Sequence, residues 1–397
     1  MVKSIKSASI SKINVKNTSN TFLFSCLIFI IISLSNCDET PQATIVKFQP
    51  KVVEYDYSDS TLFNRIDTFF GKRHQAKRFN GTVLFAQSGK IVYHKAFGYS
   101  NFNTKDTLQI DDAFQLASVS KTITAIVTLK LVQDSLIQLD QNVQDFIPNF
   151  PYDSITIRHL LSHRSGLANY MYFADKIWEN KDSSITNNDV LTIMQRDTPD
   201  YYYLPDVRYF YCNTNYTILA SIIEKVTNDT YENYLDKHIF QPLNMENAFV
   251  YNRNTQPKIP QEVLGYNGIY RQKENHYFNG VVGDKGIYAS VMDLFKFDQA
   301  LYESDFIDST LLAEAFTPHN PDLTRRNRDN YGLGWRIQNT LEFGEVVYHS
   351  GWWKGFKTYF IRMIDKNQTI IVLTNVTRGG YLNRMEMQGL LNQQNLK

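Results

Sequence analysis

The order of strand-like and helix-like segments along the chain limits its possible folds most strongly. Residues 81–100 (GTVLFAQSGKIVYHKAFGYS) contain two β-rich stretches separated by Ser88-Gly89-Lys90, a pattern that predicts a hairpin. Strand patterns return near the end of the chain, at Gly332–Ile337, Glu345–His349, Phe356–Met363 and Thr369–Asn375. We therefore expect one sheet built from both ends of the chain.

The segments between these strands have helical patterns. Ser118–Gln133 is apolar on most faces, as a helix in the middle of a domain would be, and Tyr216–Val226 and Val291–Tyr302 predict further helices. The predicted fold class is α/β, of the α+β kind: a sheet flanked by helices, with a mostly helical lobe inserted at about residues 136–265. Residues 61–397 are assigned to this single domain.

Composition is that of a globular chain with no excess of basic residues. Of the 397 residues, 43% are hydrophobic and 20% are charged, and 41 Lys plus Arg nearly balance 40 Asp plus Glu. Four lysines lie within the first 37 residues, which hold no acid, so the remainder carries three more acids than bases. We expect no basic face for nucleic acid and no nucleic-acid partner.

The first 37 residues have the pattern of a lipoprotein signal. The lysines precede an apolar run, Thr21–Ser35, which is shorter than the roughly 20 residues that span a bilayer. The run ends in Leu34-Ser35-Asn36-Cys37, which resembles a bacterial lipobox, although Asn36 departs from the usual small residue. We expect residues 1–36 to be removed, Cys37 to carry a lipid and residues 37–60 to form a flexible tether. The alternative is an uncleaved signal anchor.

Cysteine and histidine usage indicates neither a disulfide nor a metal site. Cys26 lies in the apolar run and Cys37 is the candidate anchor, which leaves Cys212 alone in the body of the chain. His159 and His163 are four residues apart, but Leu160 stands where an H-E-x-x-H zinc site needs Glu. We expect no metal and no organic cofactor.

A S-x-x-K tetrad opens the first predicted helix. Three residues along a helix correspond to about 60° of rotation and about 4.5 Å of rise, so Ser118 and Lys121 share one face. A lysine shielded from water near a helix N-terminus loses proton affinity, which would let Lys121 activate Ser118 as a nucleophile. The tetrad alone is not specific, because Ser9-Ile10-Ser11-Lys12 also matches and Ser118 could simply cap the helix.

Two further motifs carry side chains suited to the same chemistry. Tyr211-Cys212-Asn213 places a phenol and an amide two residues apart on an extended or turning segment, so both project toward one cleft. Tyr-x-Asn recurs in the chain, but Tyr211 follows the tetrad and directly precedes a predicted helix. His349-Ser350-Gly351 closes a predicted strand, where the glycine lets a ligand approach the backbone closely. The alternative for His349 is an imidazole that is satisfied at a strand end.

Together these motifs resemble the serine β-lactamase and penicillin-binding protein superfamily, specifically its class C β-lactamase-like branch of D,D-peptidases, D-aminopeptidases and esterases. The resemblance extends from about Asn80 to Asn375. The motifs occur in family order: FNGTVLF, KAFGYSN, FQLASVSKT, TIRHLLSHRSGL, YFYCNTNY, QPLNM, GDKGIYASVMDLFKFDQAL, YGLGW and YHSGWWKGF. The resemblance implies an antiparallel sheet made from both chain ends, flanked by helices, with an inserted helical lobe.

The reaction that this resemblance implies is a two-step acyl transfer. Ser118 attacks a carbonyl, Lys121 and Tyr211 share the work of general base and general acid, and Asn213 orients the substrate amide. The backbone N–H groups of Ser118 and Trp352 would hold the oxyanion. Whether Lys121 or Tyr211 is the base stays open at this level.

Departures from the family pattern bear mainly on specificity. His349-Ser350-Gly351 stands where β-lactamases of this branch carry Lys-Thr-Gly, so a largely neutral imidazole replaces a fixed cation and efficient β-lactamase action is less expected. Gly283-Asp284-Lys285-Gly286 replaces a Gly-Gly turn and is predicted to form a surface turn. The aromatic residues that either line the cleft or pack elsewhere are Tyr170, Tyr172, Trp178, Trp352 and Trp353.

We therefore predict an exported serine hydrolase of the bacterial cell envelope, anchored to a membrane at the periplasm or cell surface. Its substrate would be an amide or ester of a small peptide or acyl compound. The alternative enzyme is a D,D-carboxypeptidase or β-lactamase acting on peptidoglycan-like or β-lactam substrates. The alternative of another class is a non-catalytic envelope binding module, which has no need of Ser118, Lys121, Tyr211 and His349 together.

Overall fold

Residues 48–397 form one structural unit of the chain. The computed structural model describes residues 48–253, 263–268, 271–320, 330–340, 342–377 and 382–392. The predicted signal peptide and Cys37 lie outside these residues. Within the described ranges, no helix combines the length and the apolar character that crossing a membrane requires.

One large sheet organises this unit. The strands, in chain order, are β1 (Glu54–Tyr55), β2 (Gly81–Gln87), β3 (Lys90–Phe97), β4 (Tyr99–Asn101), β5 (Asp106–Thr107), β6 (Phe114–Gln115), β7 (Phe249–Val250), β8 (Ile287–Ala289), β9 (Asn330–Tyr331), β10 (Arg336–Thr340), β11 (Gly344–Trp353), β12 (Phe356–Met363) and β13 (Gln368–Thr374). Eight of them pair in the order β1-β3-β2-β13-β12-β11-β10-β9, all antiparallel except β1 with β3. The prediction of an antiparallel sheet built from both chain ends is confirmed.

The helices lie on both faces of this sheet. They are α1 (Ser60–Gln75), α2 (Ser120–Gln133), α3 (Ile157–Leu161), α4 (Tyr170–Ile177), α5 (Asn187–Asp197), α6 (Asn213–Thr227), α7 (Tyr231–Leu235), α8 (Val291–Ala300), α9 (Ser309–Ala315) and α10 (Arg384–Leu391). Helices α3 to α7 belong to the stretch that was predicted to be a helical lobe. The sheet flanked by helices therefore matches the predicted fold class.

The two faces of the sheet have separate apolar cores, as alternating side chains dictate. Along β13, Ile370 and Val372 pack with α1 and α10, whereas Ile371 and Leu373 pack with α2 and the lobe. Helix α1 begins where Asp59 accepts a hydrogen bond from the Leu62 N–H (2.9 Å), and it buries Phe70 against the sheet. The functional residues lie on the other face, beside α2.

Helix α2 is buried almost all round, as its sequence predicts. Eleven of its 14 residues are buried, and they include Lys121 and three threonines. A 3-10 turn, Ala117–Val119, immediately precedes it and carries Ser118. No side chain caps α2, and the helix begins only at Ser120, so Ser118 is not a helix cap.

Three boundaries differ from the sequence-based expectation. Gly332–Ile337 is not one strand, because Gly332 donates to the Trp335 carbonyl (2.9 Å) in a turn between β9 and β10. His349 does not close a strand, because β11 continues to Trp353 in pairing with β12. Parts of the predicted tether contact the domain: Glu54–Tyr55 pairs with β3, and the Phe48 ring lies 5.2 Å from that of Phe306.

Candidate active site

Ser118 lies on a sharp turn at the start of α2. The preceding residue, Ala117, has a left-handed φ of 50°, an uncommon conformation for a residue with a Cβ. Ala117 and Val119 are buried, whereas Ser118 is partly exposed. The turn therefore presents the Ser118 hydroxyl outward from a rigid support.

Lys121 is the direct neighbour of that hydroxyl. Its Nζ lies 3.1 Å from Ser118 Oγ and donates to the backbone carbonyl of Asp284 at 2.7 Å. The side chain is fully buried, and this burial lowers the pKa of Lys121 to about 8, although the charge of Asp284 acts in the opposite direction. In its neutral form, Lys121 can accept the proton of Ser118.

Tyr211 approaches Ser118 from the segment before α6. Its hydroxyl is hydrogen-bonded with Ser118, and Lys121 Nζ lies 5.2 Å from the centre of its ring. Burial raises the pKa of Tyr211 to about 12, while the charge of Arg336 and the bond with Ser118 act in the opposite direction. The predicted trio of Ser118, Lys121 and Tyr211 is thus brought together.

His163 fixes the segment that carries Tyr211. The His163 carbonyl accepts from the Phe210 N–H (2.9 Å), and its Nδ1 accepts from the Cys212 N–H (3.2 Å), so both chain neighbours of Tyr211 are attached to it. The His163 ring also lies 4.3 Å from the Tyr211 ring. Sequence reasoning considered His163 only as a metal ligand and missed this contact, which only the fold reveals.

His349 is neutral and faces another side chain. Its Nδ1 lies 2.9 Å from the Ser350 carbonyl, which can only accept, so Nδ1 carries the proton and Nε2 accepts from the Tyr331 hydroxyl at 3.0 Å. Burial, followed by the charge of Arg336, holds the pKa of His349 well below its usual value. The imidazole therefore positions Tyr331 and supplies no cation to the site.

A cation does reach the site from β10. Arg336 pairs with Tyr348 of β11, and its guanidinium lies 5.3 Å from the Tyr211 ring. Among the described residues, no carboxylate forms an ion pair with Arg336. Sequence reasoning missed Arg336, although it directly follows the quoted motif YGLGW.

The backbone of β11 runs beside the nucleophile. A Cβ on Gly351 would lie 2.3 Å from the Leu116 carbonyl oxygen and 2.3 Å from Thr358 Oγ1, so only glycine allows this approach. Thr358 Oγ1 donates to that same carbonyl at 2.7 Å and ties β12 to the Ser118 turn. The Trp352 side chain is 65% exposed, and an oxyanion hole made of the Ser118 and Trp352 backbone N–H groups stays a prediction.

Asn213 begins α6 and carries a buried acceptor oxygen. Its Nδ2 lies 3.7 Å from Met171 Sδ, whereas its buried Oδ1 has no hydrogen-bond partner in the described part of the chain. Buried polar atoms are nearly always paired, so this oxygen is suited to accept from a bound ligand. Between Tyr211 and Asn213, the fully buried Cys212 has a pKa raised to about 11 by burial.

Asp284 and Lys285 do not form a surface turn. The two residues are 1% and 2% exposed, and Lys285 Nζ bonds Tyr170 Oη at 2.7 Å and Asp284 Oδ1 at 3.3 Å. The surface-turn prediction is wrong because the loop packs between α2 and α6. At Gly283 the packing is so close that a Cβ would lie 2.3 Å from the Tyr216 carbonyl oxygen. Tyr170 belongs to this buried layer, Trp353 is half-buried with its ring 5.4 Å from Lys285 Nζ, and Tyr172 is exposed.

A serine, a buried lysine and a tyrosine in mutual contact on a sheet built from both chain ends define a serine hydrolase of the β-lactamase-related class. Sequence comparison agrees, since the model of the family described as "Beta-lactamase" matches residues 66–391. The chain belongs to this family. It is 37% identical over 330 residues to penicillin-binding protein 4* of Bacillus subtilis, which covers 79% of this chain and 70% of that protein.

Solved structures show the same fold. The octameric penicillin-binding protein homologue from Pyrococcus abyssi superposes with a TM-score of 0.72 at 25% identity, covering 84% of this chain and 78% of that one. The D-amino acid amidase from Ochrobactrum anthropi SV3, complexed with L-phenylalanine, gives a TM-score of 0.69 at 22% identity, covering 83% and 97%. At such identities the second likeness concerns the fold alone.

Proposed function

We propose that the protein is a cell-envelope serine hydrolase that cleaves an amide or ester of a small peptide or acyl compound through an acyl-enzyme on Ser118. The observation that carries this proposal is the contact of Ser118 with Lys121 Nζ (3.1 Å) and with the Tyr211 hydroxyl. A weak nucleophile needs an adjacent base, and here a buried lysine with a lowered pKa adjoins it.

The geometry supports the following chemistry. Ser118 Oγ bonds to the substrate carbonyl carbon and passes its proton to the neutral amine of Lys121. The backbone N–H groups of Ser118 and Trp352 stabilise the oxyanion, a contribution of about 3 to 4 kcal/mol per donor in enzymes of this kind. Tyr211 then protonates the leaving amine or alcohol. Water releases the acyl group by the reverse proton path and restores the free serine.

Asn213 Oδ1 and the Arg336 guanidinium favour a particular kind of substrate. Asn213 Oδ1 is suited to accept an N–H of the substrate, as an amide or peptide provides. The Arg336 guanidinium, without a carboxylate among the described residues, is suited to an anionic group. This second feature supports the D,D-carboxypeptidase or β-lactamase alternative, since both substrate classes carry a carboxylate.

Parallel assays of the purified body, residues 38–397, test these proposals. Wild type and Ser118→Ala are compared on a chromogenic short-chain ester, a chromogenic cephalosporin and a peptide ending in D-Ala-D-Ala. Ser118→Ala should lower turnover by about 10⁴-fold or more. Ser120→Ala, a buried serine two residues away whose Oγ accepts from the Ile287 N–H (3.3 Å), is the matched control and should keep turnover.

The outcomes separate the candidates. Cleavage of the ester alone favours an esterase. Cleavage of the peptide or the cephalosporin that is lost in Arg336→Gln favours a D,D-carboxypeptidase or β-lactamase whose substrate carboxylate binds Arg336. Turnover that survives Ser118→Ala contradicts the nucleophile assignment. Tight binding without turnover in either form leaves the binding module as the better description.

We also propose that Cys37 anchors the protein to a membrane as a lipoprotein. The support is the apolar run Thr21–Ser35 followed by the lipobox-like Leu34-Ser35-Asn36-Cys37. Cys37→Ser should release the protein into the soluble envelope fraction, and mass spectrometry of wild type should show a lipidated N-terminus. Unchanged membrane association of the variant would instead support an uncleaved signal anchor.

A further inference from the structure

The loop Val281–Gly286 lies directly behind the active-site lysine. Thr124 Oγ1 of α2 donates to the Gly283 carbonyl at 2.7 Å, and Lys121 Nζ donates to the Asp284 carbonyl at 2.7 Å. The loop is therefore fixed to two side chains of the helix that carries the lysine. The Asp284 carbonyl supplies one of the two contacts that orient Lys121, and Ser118 supplies the other.

The side chains of Asp284 and Lys285 form a closed network with Tyr170. The ammonium of Lys285 has three N–H donors, and three acceptors surround it: Tyr170 Oη (2.7 Å), the Val281 carbonyl (3.1 Å) and Asp284 Oδ1 (3.3 Å). The Tyr170 hydroxyl donates in turn to Asp284 Oδ2 at 3.2 Å. A buried charge pair is tolerated when both partners are hydrogen-bonded in this way.

This network places two opposite charges next to Lys121. The charge of Asp284 favours the protonated form of Lys121, and Lys285 and Lys121 repel each other. Burial, opposed by Asp284, lowers the pKa of Lys285 to about 8, so near neutral pH its ammonium balances the carboxylate. Without Lys285, the Asp284 carboxylate would have no neighbouring cation except Lys121 among the residues that the structure describes, and it would stabilise the protonated form of Lys121.

Other groups also face Lys121, and on one of them, Tyr211, the charge of Asp284 adds to burial in raising the pKa. From the elements packed around it they are Ser118, His163, Tyr211, Cys212, Tyr216, Arg336 and His349. Of these, the two histidines have a pKa held well below the usual value by burial, and Arg336 is a permanent cation. Asp284 is therefore the acid whose charge Lys121 experiences most directly.

We propose that Lys285 is a positioning residue for the hydrolase: it cancels the charge of Asp284, so that the Asp284 carbonyl can orient Lys121 without keeping it protonated. This inference rests on the proposed function of Ser118 and Lys121 and deepens it. The pair also anchors Tyr170, whose N–H donates to Thr214 Oγ1 at 2.7 Å and whose chain neighbour Met171 contacts Asn213. The network thus supports both the base and the substrate amide site.

The test measures the rate of Ser118 labelling by a fluorophosphonate between pH 5 and pH 10. Ser118 Oγ bonds to phosphorus and fluoride leaves, so no natural substrate is needed. The labelling rate should fall at low pH as Lys121 becomes protonated, and this fall is called the acid limb. Lys285→Met should move the acid limb to higher pH and slow labelling at pH 6 by about tenfold or more, which corresponds to a rise of one unit in the pKa of Lys121. Asp284→Asn, nearly isosteric, should move the limb to lower pH. The double variant Asp284→Asn/Lys285→Met should return it toward wild type.

Arg362→Met is the matched control. Arg362 and Asp298 form another buried ion pair, 1% and 0% exposed, which joins β12 to α8 and is not among the charges acting on Lys121. Its loss should lower the thermal midpoint and leave the acid limb in place. Near-UV circular dichroism confirms that each variant is folded; if Lys285→Met does not fold, Asp284→Asn carries the test by its opposite shift.

The two failures are distinguishable. Equal labelling of wild type and Ser118→Ala overturns the proposed function, and this inference with it. Specific labelling of Ser118 with an acid limb that stays in place in both single variants overturns this inference alone, because a purely structural network would lower the rate at every pH. Opposite shifts that cancel in the double variant support it.

Discussion

At the scale of single residues, burial moves the two proton-transfer groups in opposite directions. It disfavours the charged form of each, so the pKa of Lys121 falls to about 8 while that of Tyr211 rises to about 12. As the pH rises, the lysine is the first of the two to lose its proton. We therefore expect Lys121 to accept the proton of Ser118 and the neutral phenol of Tyr211 to donate to the leaving group.

The pH dependence of acylation follows from this order. A general base must be deprotonated, so kcat/KM should fall about tenfold per pH unit below the pKa of Lys121, near 8, and should level off above it. A pH-rate profile on the ester substrate measures this limb. A rate that stays constant down to pH 6, or that rises only toward pH 12, would contradict the role of Lys121 and favour Tyr211 as the base.

His163 should act on the rate through Tyr211. His163→Ala removes the acceptor for the Cys212 N–H and the ring packed 4.3 Å from Tyr211. We expect kcat to fall by about 10- to 100-fold with little change in KM, since small misplacements of a catalytic group cost that much. His159→Ala is the control, because the His159 side chain bonds the backbone at Thr156 and Ser154, in and before the capping box of α3, and Tyr211 is not among its partners. An unchanged kcat for His163→Ala would remove His163 from the positioning role.

At the scale of elements, the site depends on how β11 meets the turn before α2. The strand reaches the Leu116 carbonyl because Gly351 has no side chain, and Thr358 of the next strand bonds the same carbonyl. Sequence predicted β12 to the residue and most of α2 and α6, since their apolar patterns are strong. It stopped β11 at His349, because a polar histidine and a glycine do not continue an apolar pattern, although they pair fully with β12.

Gly351→Ala tests this junction. A Cβ 2.3 Å from two oxygen atoms must push β11 away from the turn, so we expect a loss of acylation rate of about 100-fold and a destabilised protein. Gly71→Ala in α1 is the matched control, since its Cβ meets nothing within 4 Å and alanine favours helix by about 1 kcal/mol. Denaturant unfolding and labelling of Ser118 measure both effects; normal labelling of Gly351→Ala would contradict the close approach.

At the scale of the whole molecule, the sheet separates stability from chemistry. One face is covered by α1 and α10, and the other carries α2 and the site, with β2, β13 and β12 between them. The sequence predicted a sheet flanked by helices, because strand patterns at both chain ends are most simply joined in one sheet. It could not foretell that Asp284-Lys285 is buried or that Arg336 faces Tyr211, because both depend on contacts between segments far apart in the chain.

Phe70→Ala uses this separation. Phe70 of α1 is fully buried on the face away from the site, and its truncation should lower the free energy of unfolding by about 3 to 5 kcal/mol. The labelling rate of Ser118 per folded molecule should stay as in wild type. A parallel loss of labelling in protein that is still folded at the assay temperature would show that the two faces are coupled.

The fully buried Cys212 has a consequence for the surroundings in which the enzyme can work. Oxidants and alkylating reagents attack the thiolate, and a buried thiol with a pKa raised to about 11 is almost never in that form. The sulfur beside Tyr211 is therefore chemically silent, and neither peroxide nor iodoacetamide should inactivate the folded protein through it. We therefore expect Cys212 to stay a free, unmodified thiol beside Tyr211 for as long as this part of the chain is folded.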